Sequence, residues 1–161
     1  MMDEQSFRLL YERTARPLWA YLSRGARDPQ AADDLLQEVY HRFLRVGAPE
    51  MDAAGQKNYL FKIATNLLRD RARSMRPQVE LSEVASGEKA GRRVELRTDL
   101  GKALEEVGER DREFLWLAYA EGFSHREIAE ATGVKEQSVR PLLHRAKTKL
   151  ADLLRSRGFG R

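Results

Sequence analysis

The sequence predicts an all-α protein of two small helical domains joined by a flexible linker. Two observations carry this. Apolar residues recur at three- and four-residue spacing through most of the chain, and no stretch alternates with the period of two that a half-buried strand needs. Between Arg76 and Arg93 (RPQVELSEVASGEKAGRR) that periodicity disappears and Pro, Ser, Gly and mixed charge replace it, the composition of a linker. The expected boundaries are residues 1–76, a linker over 77–93, and residues 94–161.

Taken in order, Asp3 to Arg24 reads as the first helix, with Phe7, Leu10, Tyr11, Leu18, Tyr21 and Leu22 inward. Pro17 is expected to kink it, because an interior proline loses a hydrogen bond and clashes one turn back. Gly25 is expected to end it. Asp28-Pro29 supplies an N-cap followed by proline at the first helical position. The second helix should reach Val46, burying Ala32, Leu35, Leu36, Val39, Phe43 and Leu44. Its acidic first turn and basic last turn both suit the helix dipole. Gly47 to Gln56 reads as a loop. The third helix, Lys57 to Met75, should bury Leu60, Ile63, Ala64, Leu67 and Leu68. It shows a ridge of amides and cations with Tyr59 at one edge, a surface suited to phosphate contact and base stacking. A solvated face is the plain alternative.

Beyond the linker, helix should resume over Val94 to Val107 with Leu96, Leu100, Ala103, Leu104 and Val107 inward. Gly108 breaks it. Glu109 to Glu121, with Phe114, Leu115, Trp116, Leu117 and Tyr119, should form the middle of the second core. Ser124 and Glu127 then have capping-box spacing for a short helix to Thr132, ended by Gly133. The last helix has an apolar stripe at Val139, Leu142, Leu143, Ala146, Leu150, Leu153 and Leu154. Arg140, His144 and Lys147 ride opposite, beside Arg145 and Lys149. Two helices around a Gly turn, the second with a free cationic face, form a helix-turn-helix with its recognition helix. An ordinary solvated bundle face is again the plain alternative.

Composition narrows the function. Charged residues are 34% of the 161, yet the formal net charge is only +4, so nucleic-acid contact must come from local patches beside acidic surface. There are no cysteines, which excludes disulfides, cysteine zinc sites and thiol catalysis. The N-terminus is acidic and polar, unlike a signal peptide, and no apolar run has the length of a membrane span. His41, His125 and His144 lie far apart without metal-ligand spacing, so no metal, cofactor or enzyme activity is expected.

Three stretches share one family likeness. Ala32-Asp33-Asp34-Leu35-Leu36-Gln37-Glu38-Val39-Tyr40, Tyr59-Leu60-Phe61-Lys62-Ile63-Ala64-Thr65-Asn66-Leu67-Leu68-Arg69-Asp70 and the helix-turn-helix together resemble the extracytoplasmic-function (group 4) sigma factors of the sigma-70 family. The resemblance implies a sigma-2-like three-helix domain and a sigma-4-like helix-turn-helix domain. It implies a cytoplasmic, non-catalytic protein that binds bacterial core RNA polymerase and promoter DNA, and that an anti-sigma factor can hold inactive. Position by position, it implies that Asp33, Asp34, Leu35, Gln37 and Glu38 dock on the clamp helices of the largest catalytic subunit. It implies that the loop at 47–57 holds a flipped −10 base. Asn58, Tyr59, Lys62, Asn66, Arg69 and Arg73 would line the separated non-template strand. At the −35 duplex, Arg140, His144 and Arg145 would read bases, whereas Ser124, Arg126, Gln137, Ser138 and Lys147 would hold phosphates. The family's usual run at the start of the reading helix is changed here, with Pro141 and Leu142 in place of a serine and a cation. Pro141 is expected to be tolerated if it falls in the first turn with Ser138 as N-cap, and otherwise to kink the helix. A free-standing dimeric helix-turn-helix regulator is the competing reading; the exposed acidic-amide helix, unneeded by a repressor, stands against it.

Overall fold

A computed structural model describes residues 2–46, 51–75 and 99–158; the expected linker at 77–93 lies outside the described residues. Among the described residues there are helices and no strands. Two compact units divide the chain: residues 1–76 with 130–133 form the first, and residues 77–129 with 134–161 the second.

The first unit packs three helices against one another: α1 (Glu4–Ala26), α2 (Pro29–Val46) and α3 (Ala53–Met75). Asp3 is the N-cap of α1, its Oδ1 accepting from the Ser6 N–H at 2.7 Å. The helix runs on through Pro17 and past Gly25. It closes only at Arg27, whose φ of 58° lets its N–H reach the Ser23 carbonyl at 2.8 Å. Gly25 therefore does not end the helix. It makes room instead, because a Cβ there would lie 2.5 Å from Cδ1 of buried Leu68. Asp28 starts α2 as expected, accepting from the Gln30 N–H at 3.1 Å ahead of Pro29. Helix α3 begins four residues before its expected start, since Asp52 accepts from the Gly55 N–H at 2.8 Å. Residues 53–56 are thus helical, not loop; residues 47–50 lie outside the described residues.

The core of this unit is Leu10, Leu18, Leu22, Val39, Phe43, Leu60, Phe61, Ala64 and Leu68. Phe61 packs on Tyr21, ring centroids 5.2 Å apart. Two hydroxyl pairs sit inside it. Tyr21 shares a 2.6 Å hydrogen bond with Thr65, and Tyr40 a 2.5 Å bond with Thr14. Buried polar groups need such partners. Burial pushes the Tyr40 phenol up to about 12. Tyr11 and Leu44, both expected inside, are exposed. Tyr11 still rests its ring on Tyr40, centroids 5.0 Å apart, so it shields the core edge without entering it.

In the second unit α4 (Asp99–Glu106) and α5 (Glu109–Leu115) pack on α7 (Glu136–Ser156), and α6 (His125–Thr132) precedes α7. Residues 94–98 of the expected fourth helix lie outside the described residues. Gly108, at φ 109°, makes the break between α4 and α5 that a side chain would resist. Phe114, Leu115, Leu117, Val107, Ile128, Val139, Leu143 and Ala146 form the core. Helix α5 does not continue as α-helix to Glu121. Trp116–Ala120 is a wider π-type turn, closed by the Glu121 N–H on the Trp116 carbonyl at 3.1 Å. Tyr119, expected in the core, is therefore outside at 61% exposure, and Leu100 on α4 is exposed as well.

Candidate nucleic-acid and polymerase interfaces

Helix α2 carries the acidic-amide face. Asp33, Asp34 and Gln37 are exposed, while Leu35 and Glu38 are half-buried. Two of the carboxylates are fixed by neighbours. The Trp19 indole N–H donates to Asp33 Oδ1 at 2.8 Å, and Arg42 Nε donates to Glu38 Oε2 at 2.8 Å, one turn along the helix. The hydrogen bond from Arg42 holds the Glu38 carboxyl below the usual carboxylate range. Glu38 is thus an anion with a set orientation, while Asp34 and Gln37 stand in water. An acidic patch of this kind suits a basic protein partner.

Helix α3 presents Asn58, Lys62, Asn66, Arg69 and Arg73 at four-, four-, three- and four-residue steps, which places them along one face. Lys62, Asn66 and Arg73 are exposed. Arg73 pairs with Asp70 at 2.5 Å on its own helix, so part of its charge is already balanced. Tyr59 leans on Phe43, centroids 6.1 Å apart and tilted 56°. Beside it, Arg42, Arg45, Val46, Tyr59, Ile63 and Asn66 line an open cleft of about 330 Å³ between α2 and α3. Arg42 and Arg45 had no place in the sequence reading of this surface. They belong to the basic end of α2, and only the packing of α2 on α3 sets them next to Tyr59 and Asn66.

The helix-turn-helix is built as its sequence requires. The Glu127 N–H donates to Ser124 Oγ at 3.1 Å, and the Ser124 N–H donates to Glu127 Oε1 at 2.9 Å, a complete capping box. Gly133 takes φ 84° in the turn, where any other residue would be strained. Ser124→Ala is expected to lower the stability of this unit by about 1 kcal/mol, with Ser124→Asp restoring most of it, as read from urea unfolding.

Helix α7 starts at Glu136, earlier than a Ser138 cap would place it. Lys135 is the N-cap and the Ser138 N–H already donates to the Lys135 carbonyl at 2.9 Å. Pro141 is consequently the sixth residue of the helix and not in its first turn. The helix nevertheless continues to Ser156. Pro141 cannot donate to the Gln137 carbonyl, but both residues are exposed, so water can take that role. Ser124, Arg126, Gln137, Arg140, His144, Arg145 and Lys147 are all exposed, and Ser138 is half-buried. Lys147 is not simply solvated: its ammonium lies over the Tyr119 ring, 5.8 Å from the centroid. That contact depends on the π-type turn and was invisible in the periodicity of the sequence.

Comparison with known proteins places both units. Residues 10–77 match the family model for sigma-70 region 2, and residues 97–150 match that for sigma-70 region 4. The chain is 30% identical over 128 residues to the ECF RNA polymerase sigma factor EcfG of Rhodopseudomonas palustris, covering 76% of this chain and 71% of that one. It is 24% identical over 151 residues to the ECF RNA polymerase sigma factor SigM of Bacillus subtilis, covering 89% and 92%. Among solved structures, the fold is similar to the sigma factor RpoE of Bartonella quintana, crystallised with the anti-sigma factor NepR. The TM-score is 0.72 at 19% identity, over 94% of this chain and 98% of that one. It is also similar to CnrH in complex with the cytosolic domain of CnrY, with TM-score 0.69 at 22% identity over 96% and 90%. With its region 2 and region 4 both present, in that order, the chain belongs to the extracytoplasmic-function sigma factors of the sigma-70 family.

Proposed function

We propose that this sigma factor directs promoter-specific initiation through three separate surfaces. The face of α2 bearing Asp33, Asp34, Leu35, Gln37 and Glu38 docks on the clamp helices of core RNA polymerase. The face of α3 bearing Asn58, Tyr59, Lys62, Asn66, Arg69 and Arg73 captures the melted −10 non-template strand. Helix α7 enters the −35 major groove, with Arg140, His144 and Arg145 toward bases. Ser124, Arg126, Gln137, Ser138 and Lys147 toward phosphates complete that contact. The functional domains are residues 1–76 and 94–161. The nucleotide chemistry belongs to the polymerase; this chain supplies binding and selection alone, in the cytoplasm where the polymerase works.

The observation that carries the reading is the ordered acidic face of α2 on a chain of net positive charge, with the cationic faces on other helices. A repressor needs only the second kind. The solved relatives RpoE and CnrH were each captured with a protein partner, the first an anti-sigma factor. We infer from these likenesses that an anti-sigma factor also restrains this chain. Among the described residues no helix is long and apolar enough to cross a membrane.

Reader and phosphate roles separate experimentally. In selection of −35 duplexes by the polymerase complex, Arg145→Ala is expected to flatten base preference at one position, by roughly 1–3 kcal/mol of discrimination. Lys147→Ala is expected to weaken all duplexes alike and to lower the salt slope by about one. Equal, sequence-independent losses in both would mean that the roles are misassigned.

A further inference from the structure

The turn at Trp116–Ala120 and helix α7 share one contact that neither core packing nor base reading explains. The wider π-type turn carries Tyr119 out to 61% exposure, and such turns are frequent at functional sites. The backbone on either side of Tyr119 is anchored. Leu117 is buried in the core, and its carbonyl accepts from the Phe123 N–H at 2.9 Å, one residue before the Ser124 cap. The Glu121 N–H closes the turn on the Trp116 carbonyl. Tyr119 is therefore an exposed aromatic on a fixed platform. Over its ring lies the Lys147 ammonium, 5.8 Å from the centroid.

Lys147 differs from the cations that follow it on α7. Lys149 pairs with Asp111 at 3.9 Å, and Arg155 with Asp152 at 2.7 Å. Among the described residues no carboxylate pairs with Lys147. A carboxylate would orient the ammonium, but it would also balance the charge and repel a phosphate. An aromatic face orients the ammonium through its quadrupole and leaves the charge whole. The three N–H groups diverge, so those turned away from the ring stay open to an acceptor. The lysine stem is otherwise flexible, and ordering it on binding costs affinity.

We infer that Tyr119 is a positioning residue of the −35 interface: its ring holds the Lys147 ammonium in place for a phosphate of the duplex backbone. The inference rests on the reading of Lys147 as a phosphate contact, and it extends that interface from α6 and α7 to the turn before them. The ring face does this work, and the phenol hydroxyl is not required for it.

The test measures binding of the full chain, complexed with core polymerase, to a −35 duplex selected with the parent complex, across a salt series. Tyr119→Leu removes the ring face and is expected to weaken binding about two- to fivefold, the scale of an exposed cation–π contact. The salt slope should stay as in the parent, because Lys147 still neutralises the same phosphate. Tyr119→Phe keeps the ring and should bind like the parent. In a Lys147→Ala background Tyr119→Leu should have no further effect, which a role in folding alone would not produce. Thermal unfolding establishes that each variant is folded. Equal weakening by Tyr119→Leu with and without Lys147 would overturn the inference, as would parent-like binding of Tyr119→Leu while Lys147→Ala is weakened. If Lys147→Ala itself binds like the parent, the phosphate reading of Lys147 fails, and the positioning role fails with it.

Discussion

Replacing Gln37 and Glu38 together by alanine is expected to weaken binding to core RNA polymerase by roughly tenfold or more, the scale of losing hydrogen bonds to a charged group at an interface. Glu38 is the α2 acid whose carboxylate is fixed by a cation on the same helix, Arg42 at 2.8 Å. A docking partner therefore meets an anion already in place, and less side-chain freedom is lost on binding. Removing it also frees Arg42, which makes the patch more positive and adds repulsion toward a basic partner. Duplex binding by α7 should be untouched, since none of its side chains changes. A fluorescence titration of labelled chain with core polymerase reads the first effect, and the salt dependence of duplex binding reads the second. Equal damage to both would count against a dedicated docking face.

Phe61→Ala is expected to cost about 3–5 kcal/mol, enough to abolish most of the stability of the first unit. Phe61 is fully buried, and its ring rests on Tyr21 at 5.2 Å, itself bonded to Thr65. Truncation leaves a cavity beside a hydroxyl pair whose geometry the ring maintains. A three-helix unit has few other layers to close the gap. Thermal unfolding followed by circular dichroism should show a transition lowered by more than ten degrees. Phe61→Leu should lose much less.

Helical periodicity made the fold class and most of the core legible, because the stripe of apolar residues on each helix is a local property. Helix ends were legible where a side chain makes the cap at a fixed offset, as at Asp28 and at Ser124 with Glu127. They were not legible where the backbone decides, as at Arg27, whose left-handed conformation closes α1 beyond Gly25. Asp52 starting α3 was hidden within a run of turn formers. Tyr11, Leu44, Leu100 and Tyr119 are exposed where the period puts them inside. Period tells which side of a helix is apolar, but not how far along it a partner extends, and the π-type turn rotates Tyr119 off the expected side.

The candidate surfaces divide in the same way. Residues on a single helix, such as Asp34 with Gln37 or Arg140 with His144, could be grouped from spacing alone. The cleft joins Arg42 and Arg45 to Tyr59 and Asn66 across two helices, and spacing cannot express that. The position of Pro141 stays open in the sequence, because Ser138 resembles a cap; Lys135 takes that position without a side-chain bond, which sets Pro141 inside α7.

The most direct test of the central claim is gel filtration of the full chain with bacterial core RNA polymerase at moderate salt. One chain is expected to co-elute with one core enzyme, and the Gln37→Ala/Glu38→Ala variant to lose that association. A chain that elutes apart from the polymerase, as a dimer that binds duplex DNA unaided, would contradict it.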